Sequence, residues 1–185
     1  MLELFSIGHS NHPIGYFVGL LQRHGITALA DVRSVPYSRR YPQFRRETLA
    51  ESLRAAGIAY VFLGKELGGK RAGGLIDAAR TPTFRAGLER LREGAQRYRV
   101  AFMCAEREPL DCHRTMLVAR HLRAPDVTIR HILANGTVEE HGSVEQRLVE
   151  SEKTAPPPLM SDAAAWHEAV ERAYDARSRA WASTS

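Results

Sequence analysis

The chain has 185 residues, 44% of them hydrophobic and 25% charged, with a net charge of +5 and an isoelectric point of about 9.6. This is the composition of roughly one globular domain, long enough to bury about two-thirds of its unfolded surface, and it excludes a chain disordered throughout. Two cysteines are too few for a disulfide scaffold, and no apolar run reaches the ~18 residues of a membrane-crossing helix.

Met1 to Ile7 has no basic leader region and reads directly into a strand, so no secretory signal is expected and the expected location is the cytoplasm. Leu4 to Ile7 is the first predicted strand. A helix over Ile14 to His24 follows, with Phe17, Val18, Leu20 and Leu21 at helical spacing and Gly25 just past its end. Ile26 to Val32 is the second strand, Thr48 to Ala56 a helix stopped by Gly57, and Ile58 to Leu63 the third strand. The glycines at 64, 68, 69, 73 and 74 do not spell a phosphate-loop pattern. Pro82 opens a helix running to about Tyr98. Val100 to Cys104 is the fourth strand, Cys112 to Leu122 a helix and Val127 to Leu133 the fifth strand. Asn135-Gly136 joins it to Thr137–His141 as a hairpin. Ser143 to Glu150 is a short closing helix. Beyond Ala155-Pro156-Pro157-Pro158, Ser161 is placed to cap a helix from Asp162 to about Ala180, with Trp166, Val170, Ala173 and Tyr174 as its apolar stripe.

Strands alternating with helices predict an α/β fold: a three-layer sandwich around a mostly parallel, Rossmann-like sheet of about five strands, with a C-terminal β-hairpin at its edge. The expected strand order is 3-2-1-4-5. Residues 1–150 form the predicted domain, 151–160 a Pro-rich linker and 161–185 a helical tail that docks on its own domain or on a partner.

In such a sheet the ligand crevice lies at the carboxyl ends of the strands. Those ends carry Gly8-His9-Ser10-Asn11-His12, Asp31-Val32-Arg33, Lys65-Glu66-Leu67-Gly68-Gly69 and Cys104-Ala105-Glu106 followed by Cys112-His113-Arg114. Between Arg33 and Arg46 five arginines (33, 39, 40, 45 and 46) occur without an acid, interleaved with Tyr37, Tyr41 and Phe44. Arginine forks grip phosphate and aromatic faces stack on bases, although a solvated loop with aromatic anchors would look the same. The basic balance has a bland reading too. Only Lys65, Lys70 and Lys153 are lysines, an arginine skew that a GC-rich genome also produces.

Candidate catalytic residues are Glu106, Asp31, His9, Cys112 and His113. Candidate substrate- or phosphate-binding residues are Ser10, Arg33, Arg39, Arg40, Cys104 and Arg114. Asp31 and Glu106 can divide acid and base roles across a cleft, or each can brace a loop through Arg33 or Arg114. His9 suits a general base or a phosphate contact, and equally a hydrogen-bonding residue ahead of the first helix. The cysteines allow three readings. Cys112 beside His113 and Arg114 is a candidate thiolate nucleophile. Cys104, Cys112 and His113 could hold zinc if His9 or Glu106 supplied a fourth ligand. Both could simply be small buried packing residues. A cysteine phosphatase is not matched, because Leu110 stands where its arginine would follow Cys104. No metal or cofactor is expected. His24, His121, His131 and His141 read as structural or surface residues.

Ser6-Ile7-Gly8-His9-Ser10, Asp31-Val32-Arg33, Pro36-x-Ser38-x-Arg40, Phe44, Leu67-Gly68-Gly69 and Cys104-x-Glu106-x-x-Pro109-x-x-Cys112-His113-Arg114 resemble the domain-of-unknown-function family 488. His131-Ile132, Gly136 and His141 fit the end of that pattern, and the likeness covers about residues 3–142. It implies a compact α/β domain in which the polar residues of these motifs form the site, and it supplies no reaction. The leading expectation is an intracellular enzyme, a hydrolase or transferase, acting on an anionic, phosphate-bearing substrate such as a nucleotide or nucleic acid with carboxylate assistance. A cysteine-thiolate transferase or hydrolase and a non-enzymatic nucleic-acid-binding or adaptor module are the alternatives.

Overall fold

Leu2–Gly8 form β1, whose last five residues are buried because the strand lies inside the sheet. The computed structural model describes residues 1–70, 74–157 and 162–182. β1 is followed by α1 (Ile14–Arg23), which buries Phe17, Leu20 and Leu21 on one face and ends where Gly25 takes a φ of 64°. Then come β2 (Ala28–Asp31), α2 (Arg46–Ala55), β3 (Ala59–Phe62), α3 (Gly64–Leu67) and α4 (Gly74–Ala79). α5 (Pro82–Ala95) has proline in its first turn, and Thr81 caps it by accepting the Phe84 N–H at 3.1 Å. β4 (Val100–Cys104) is buried throughout. The helix expected from Cys112 is a π-helical turn over Arg114–Ala119 that runs into α6 (Arg120–Leu122). β5 (Val127–Ile132) and β6 (Val138–Glu140) form the hairpin, with Gly136 at a φ of 87°. His141 opens α7 (His141–Glu152) instead of closing the hairpin.

The fold is α/β, with a six-stranded sheet ordered β3-β2-β4-β1-β5-β6 and parallel except for the β5–β6 pair. The order corrects the expected 3-2-1-4-5: β4 inserts between β2 and β1. Val100 is in register with both Ala28 and Leu4, so β4 pairs with β2 on one side and with β1 on the other. Two apolar layers enclose the sheet. Phe17, Leu21, Leu49 and Leu53 of α1 and α2 cover one face, and Phe84, Leu91, Leu117 and Leu122 cover the other.

α8 (Ala163–Ala182) packs on α7 of its own chain, with Val170, Ala173 and Tyr174 against Val144, Leu148 and Val149. Trp166 is exposed and stands off the stripe, while Ala169 is buried in it. Ion pairs from Arg120 and Arg123 to Glu171 fasten the helix further. The proposed cap at Ser161 and the end of the proline run at Pro158 lie outside the described residues, and α7 extends past residue 150 into the expected linker. Among the described residues no helix is long and apolar enough to cross a membrane. His131 and His141 are buried in a chain of hydrogen bonds from Ser6 through both rings to Tyr174, a structural role that joins β1, β5, α7 and α8.

The strand order fixes where a ligand can enter. The connection after β1 leaves toward β2, whereas the connection after β4 leaves the other way, toward β5. An open parallel sheet places its ligand crevice at the carboxyl ends of its strands. Here that crevice lies over Gly8-His9-Ser10 and Cys104-Ala105-Glu106.

Candidate functional site

The two segments run so close that the ladder continues past the strands. The His9 and Ser10 N–H groups donate to the carbonyls of Cys104 and Ala105 at 2.9 Å each. A Cβ at Gly8 would sit 1.9 Å from the Glu106 carbonyl oxygen, so only glycine permits this crossing. Above it lies a cleft of two lobes, of about 530 and 580 Å³, that share Arg33, Val35, Tyr37 and Ala105. His9, Ser10, Asn11, Tyr41 and Arg107 line the first lobe. Cys104, Glu106, His113, Lys70 and Trp181 line the second.

One wall is a closed hydrogen-bond unit. Asp31 is fully buried, and both its oxygens are taken. Oδ1 accepts from the Arg33 backbone N–H (3.1 Å) and Nε (2.9 Å); Oδ2 accepts from Arg33 Nη2 (2.6 Å) and the Tyr60 hydroxyl (2.8 Å). Arg33 also donates to the Phe44 carbonyl at 2.9 Å. His9 stacks on Phe44, with ring centroids 4.1 Å apart. Its Nδ1–H donates to the Ser10 carbonyl at 2.8 Å, which leaves Nε2 to accept from Arg33 Nη1 at 3.2 Å. Burial, and then the charge of Arg33, push the His9 pKa down to about 4, so this ring is neutral near pH 7. Asp31 therefore braces the loop through Arg33 with both oxygens engaged, and the lone pair His9 would use as a base is engaged as well. Burial also drives the Tyr60 hydroxyl above its ordinary value, with the Asp31 charge adding to it.

The other wall is built differently. Cys104 Sγ donates to Glu106 Oε2 at 2.7 Å, and Cys112 Sγ lies 3.1 Å from the same oxygen. His113 Nδ1 is 3.3 Å from Cys104 Sγ, while its Nε2–H donates to the Val32 carbonyl at 2.9 Å. These four donor atoms, Sγ, Oε2, Sγ and Nδ1, all lie within 4.8 Å of one another. Burial, then the bond to Cys112, hold the Cys104 thiol well above its ordinary value. Burial opposes ionisation of Cys112 as well, but the bond from Cys104, the charge of Arg114 and His113 outweigh it and hold that thiol low. Burial, and then the neighbouring Cys112, raise the Glu106 carboxyl.

The remaining predicted residues divide. Ser10 lines the first lobe with a φ of 48°. It does not cap α1, whose N-cap is Pro13, and its hydroxyl donates to Asn11 instead. Arg39 and Arg40 are exposed on the basic loop and line neither lobe; Arg40 stacks on Tyr41. Arg114 is fully buried beneath the Glu106–Arg107 turn. Its Nη1 and Nη2 donate to the carbonyls of those two residues, so it shapes the loop from below and does not face the cleft. Arg107, Lys70 and Trp181 line the cleft without having been singled out from the sequence. Arg107 follows Glu106 directly and could have been found by adjacency, whereas Trp181 reaches the site only because α8 folds back.

A family model described as a domain of unknown function, DUF488, matches residues 13–74 and 76–121. The chain belongs to this family. The DUF488 match takes in Asp31, Arg33 and the whole Cys104–Arg114 segment, and stops short of His9, Ser10 and α8. No curated protein and no solved structure matches the chain.

Proposed function

We propose that this protein is an enzyme acting in the cleft on an anionic, phosphate-bearing substrate, a nucleotide or nucleic acid, by hydrolysis or group transfer. One observation carries the reading: a single crevice has Arg107 and Lys70 with Tyr37 and Tyr41 on its walls, and Glu106 lines it between them and the buried thiols. The cations suit phosphate, and the tyrosine faces suit a base. Of the two carboxylates lining the second lobe, Asp111 pairs with Arg177 at 3.7 Å, whereas Glu106 Oε2 is met by the thiols of Cys104 and Cys112. Glu106 is thus the group available to take a proton from attacking water or to steady positive charge in the transition state.

The thiolate-nucleophile reading is weaker on geometry. The thiol that lines the cleft is Cys104, which its surroundings keep protonated; the thiol they favour as thiolate, Cys112, is buried and lines neither lobe. The test is binding and turnover of labelled single- and double-stranded DNA, RNA and mononucleotides at two salt concentrations, with Glu106→Gln beside the wild type. Turnover lost with binding kept supports the enzyme. Salt-sensitive binding without turnover in the wild type replaces it with an adaptor role.

A further inference from the structure

We infer that Cys104, Cys112, His113 and Glu106 form a binding site for one thiophilic divalent cation of the zinc class. The inference goes beyond the substrate reading above and does not depend on it. Two thiol sulfurs, an imidazole nitrogen and a carboxylate oxygen are the donor types that zinc takes, and four is its usual coordination number. With metal–ligand bonds of about 2.0–2.3 Å, donors around a tetrahedral cation stand about 3.5 Å apart. The separations here, 2.7, 3.1 and 3.3 Å within a set that spans at most 4.8 Å, bracket that value, so small side-chain rotations suffice.

Three features set this cluster apart from cysteines that merely pack. His113 is oriented as a ligand: Nε2–H is anchored on the Val32 carbonyl, which fixes the tautomer and presents the Nδ1 lone pair to the sulfurs. Gly69 lies against the same ring, where a Cβ would stand 2.7 Å from His113 Cγ. Charge also balances. Two thiolates, one carboxylate and a dication leave one negative charge, and the fully buried Arg114 supplies the positive one. Its backbone N–H lies 3.4 Å from Cys112 Sγ, and its Nε has no hydrogen-bond partner among the described residues. Finally, Cys104, His113 and Glu106 line the second lobe while Cys112 lies beneath, so the cation would sit at the cleft floor, with Glu106 as its most exposed ligand. Water or a substrate oxygen could exchange with that carboxylate.

The decisive experiment is a Co²⁺ titration of the reduced, metal-stripped full chain. The expected result is a near-ultraviolet thiolate-to-cobalt charge-transfer band with intense four-coordinate visible bands, saturating at one equivalent and bleached by one equivalent of Zn²⁺. Cys104→Ser and Cys112→Ser should each remove charge-transfer intensity, and Glu106→Gln should retain that band while shifting the visible ones. No saturable spectrum, or a spectrum unchanged in both cysteine variants, overturns the site. Because those variants alter buried positions, thiol alkylation of the wild type is a second reading. Zn²⁺ should slow labelling of both cysteines and a chelator should restore it; equal rates with and without Zn²⁺ overturn the inference.

Discussion

The two walls of the cleft bury similar numbers of titratable groups and solve the problem in opposite ways. In the Asp31–Arg33–Tyr60–His9 wall the charges of Asp31 and Arg33 meet, and the Arg33 and Tyr60 donors meet acceptors on Asp31 and His9, so the unit is closed. In the Cys104–Glu106–Cys112–His113 wall, lone-pair donors from the end of β4 and the one segment that follows it converge on one point. A closed unit holds geometry, because another ligand would have to displace an existing bond. A convergent one can accept a ligand. This separates brace from site where residue type alone does not, since Asp31 and Glu106 are both carboxylates at strand ends.

The largest expected effect breaks the closed wall. Arg33→Ala leaves the Asp31 carboxylate buried without its cation and should cost about 3–5 kcal/mol in urea unfolding. A loss below about 1 kcal/mol would show that the wall is not a brace. Acid should loosen the same wall. His9 titrates at about 4 when folded and at 6.5 by its ordinary value, so the unfolded chain binds more protons between those values. Stability is therefore full above about pH 6.5 and falls as the pH drops toward 4, by about 3 kcal/mol from His9. His131, also held low by burial, acts in the same direction. Unfolding at pH 7 and pH 4.5, with His9→Gln flattening the difference, checks this. In the open wall, Glu106→Gln should lower turnover about a hundredfold or more on a substrate from the panel, while melting temperature stays close to that of the wild type. A variant that melts early but turns over normally would make Glu106 a brace like Asp31. Tyr60→Phe removes one bond to Asp31 and should cost about 1.5–3 kcal/mol at most, since three bonds from Arg33 remain. Arg40→Ala is the smallest: exposed and outside both lobes, it should change stability by less than about 0.5 kcal/mol and leave turnover intact.

Much of the site was legible because strand ends are legible. The apolar runs place His9, Asp31 and Cys104 at the carboxyl ends of three strands, and the α/β alternation puts those ends on one edge. The roles of the residues were less legible. Asp31 and Arg33 are two residues apart, and the sequence offers bracing and catalysis as equal options; only the count of bonds on Oδ1 and Oδ2 decides. Arg114 carries the same side chain as Arg107 and lies seven positions on, yet one is fully buried under the loop and the other lines the cleft. Zinc spacing in the sequence was unconvincing because it does not follow a finger pattern. The fold supplies the fourth donor by turning Glu106 back over both sulfurs.

By itself the sequence determined the α/β class and the hairpin at Asn135-Gly136, because these rest on local periodicity and turn chemistry, and it carries the match to the family model. Tertiary structure alone decided that β4 lies between β2 and β1, that α8 brings Trp181 to the cleft, and that four donor atoms meet within 4.8 Å. The reason is one of range. Neighbours along the chain set strand, helix and turn, whereas strand order and side-chain convergence depend on which surfaces exclude water together, and that is settled only when the whole core closes.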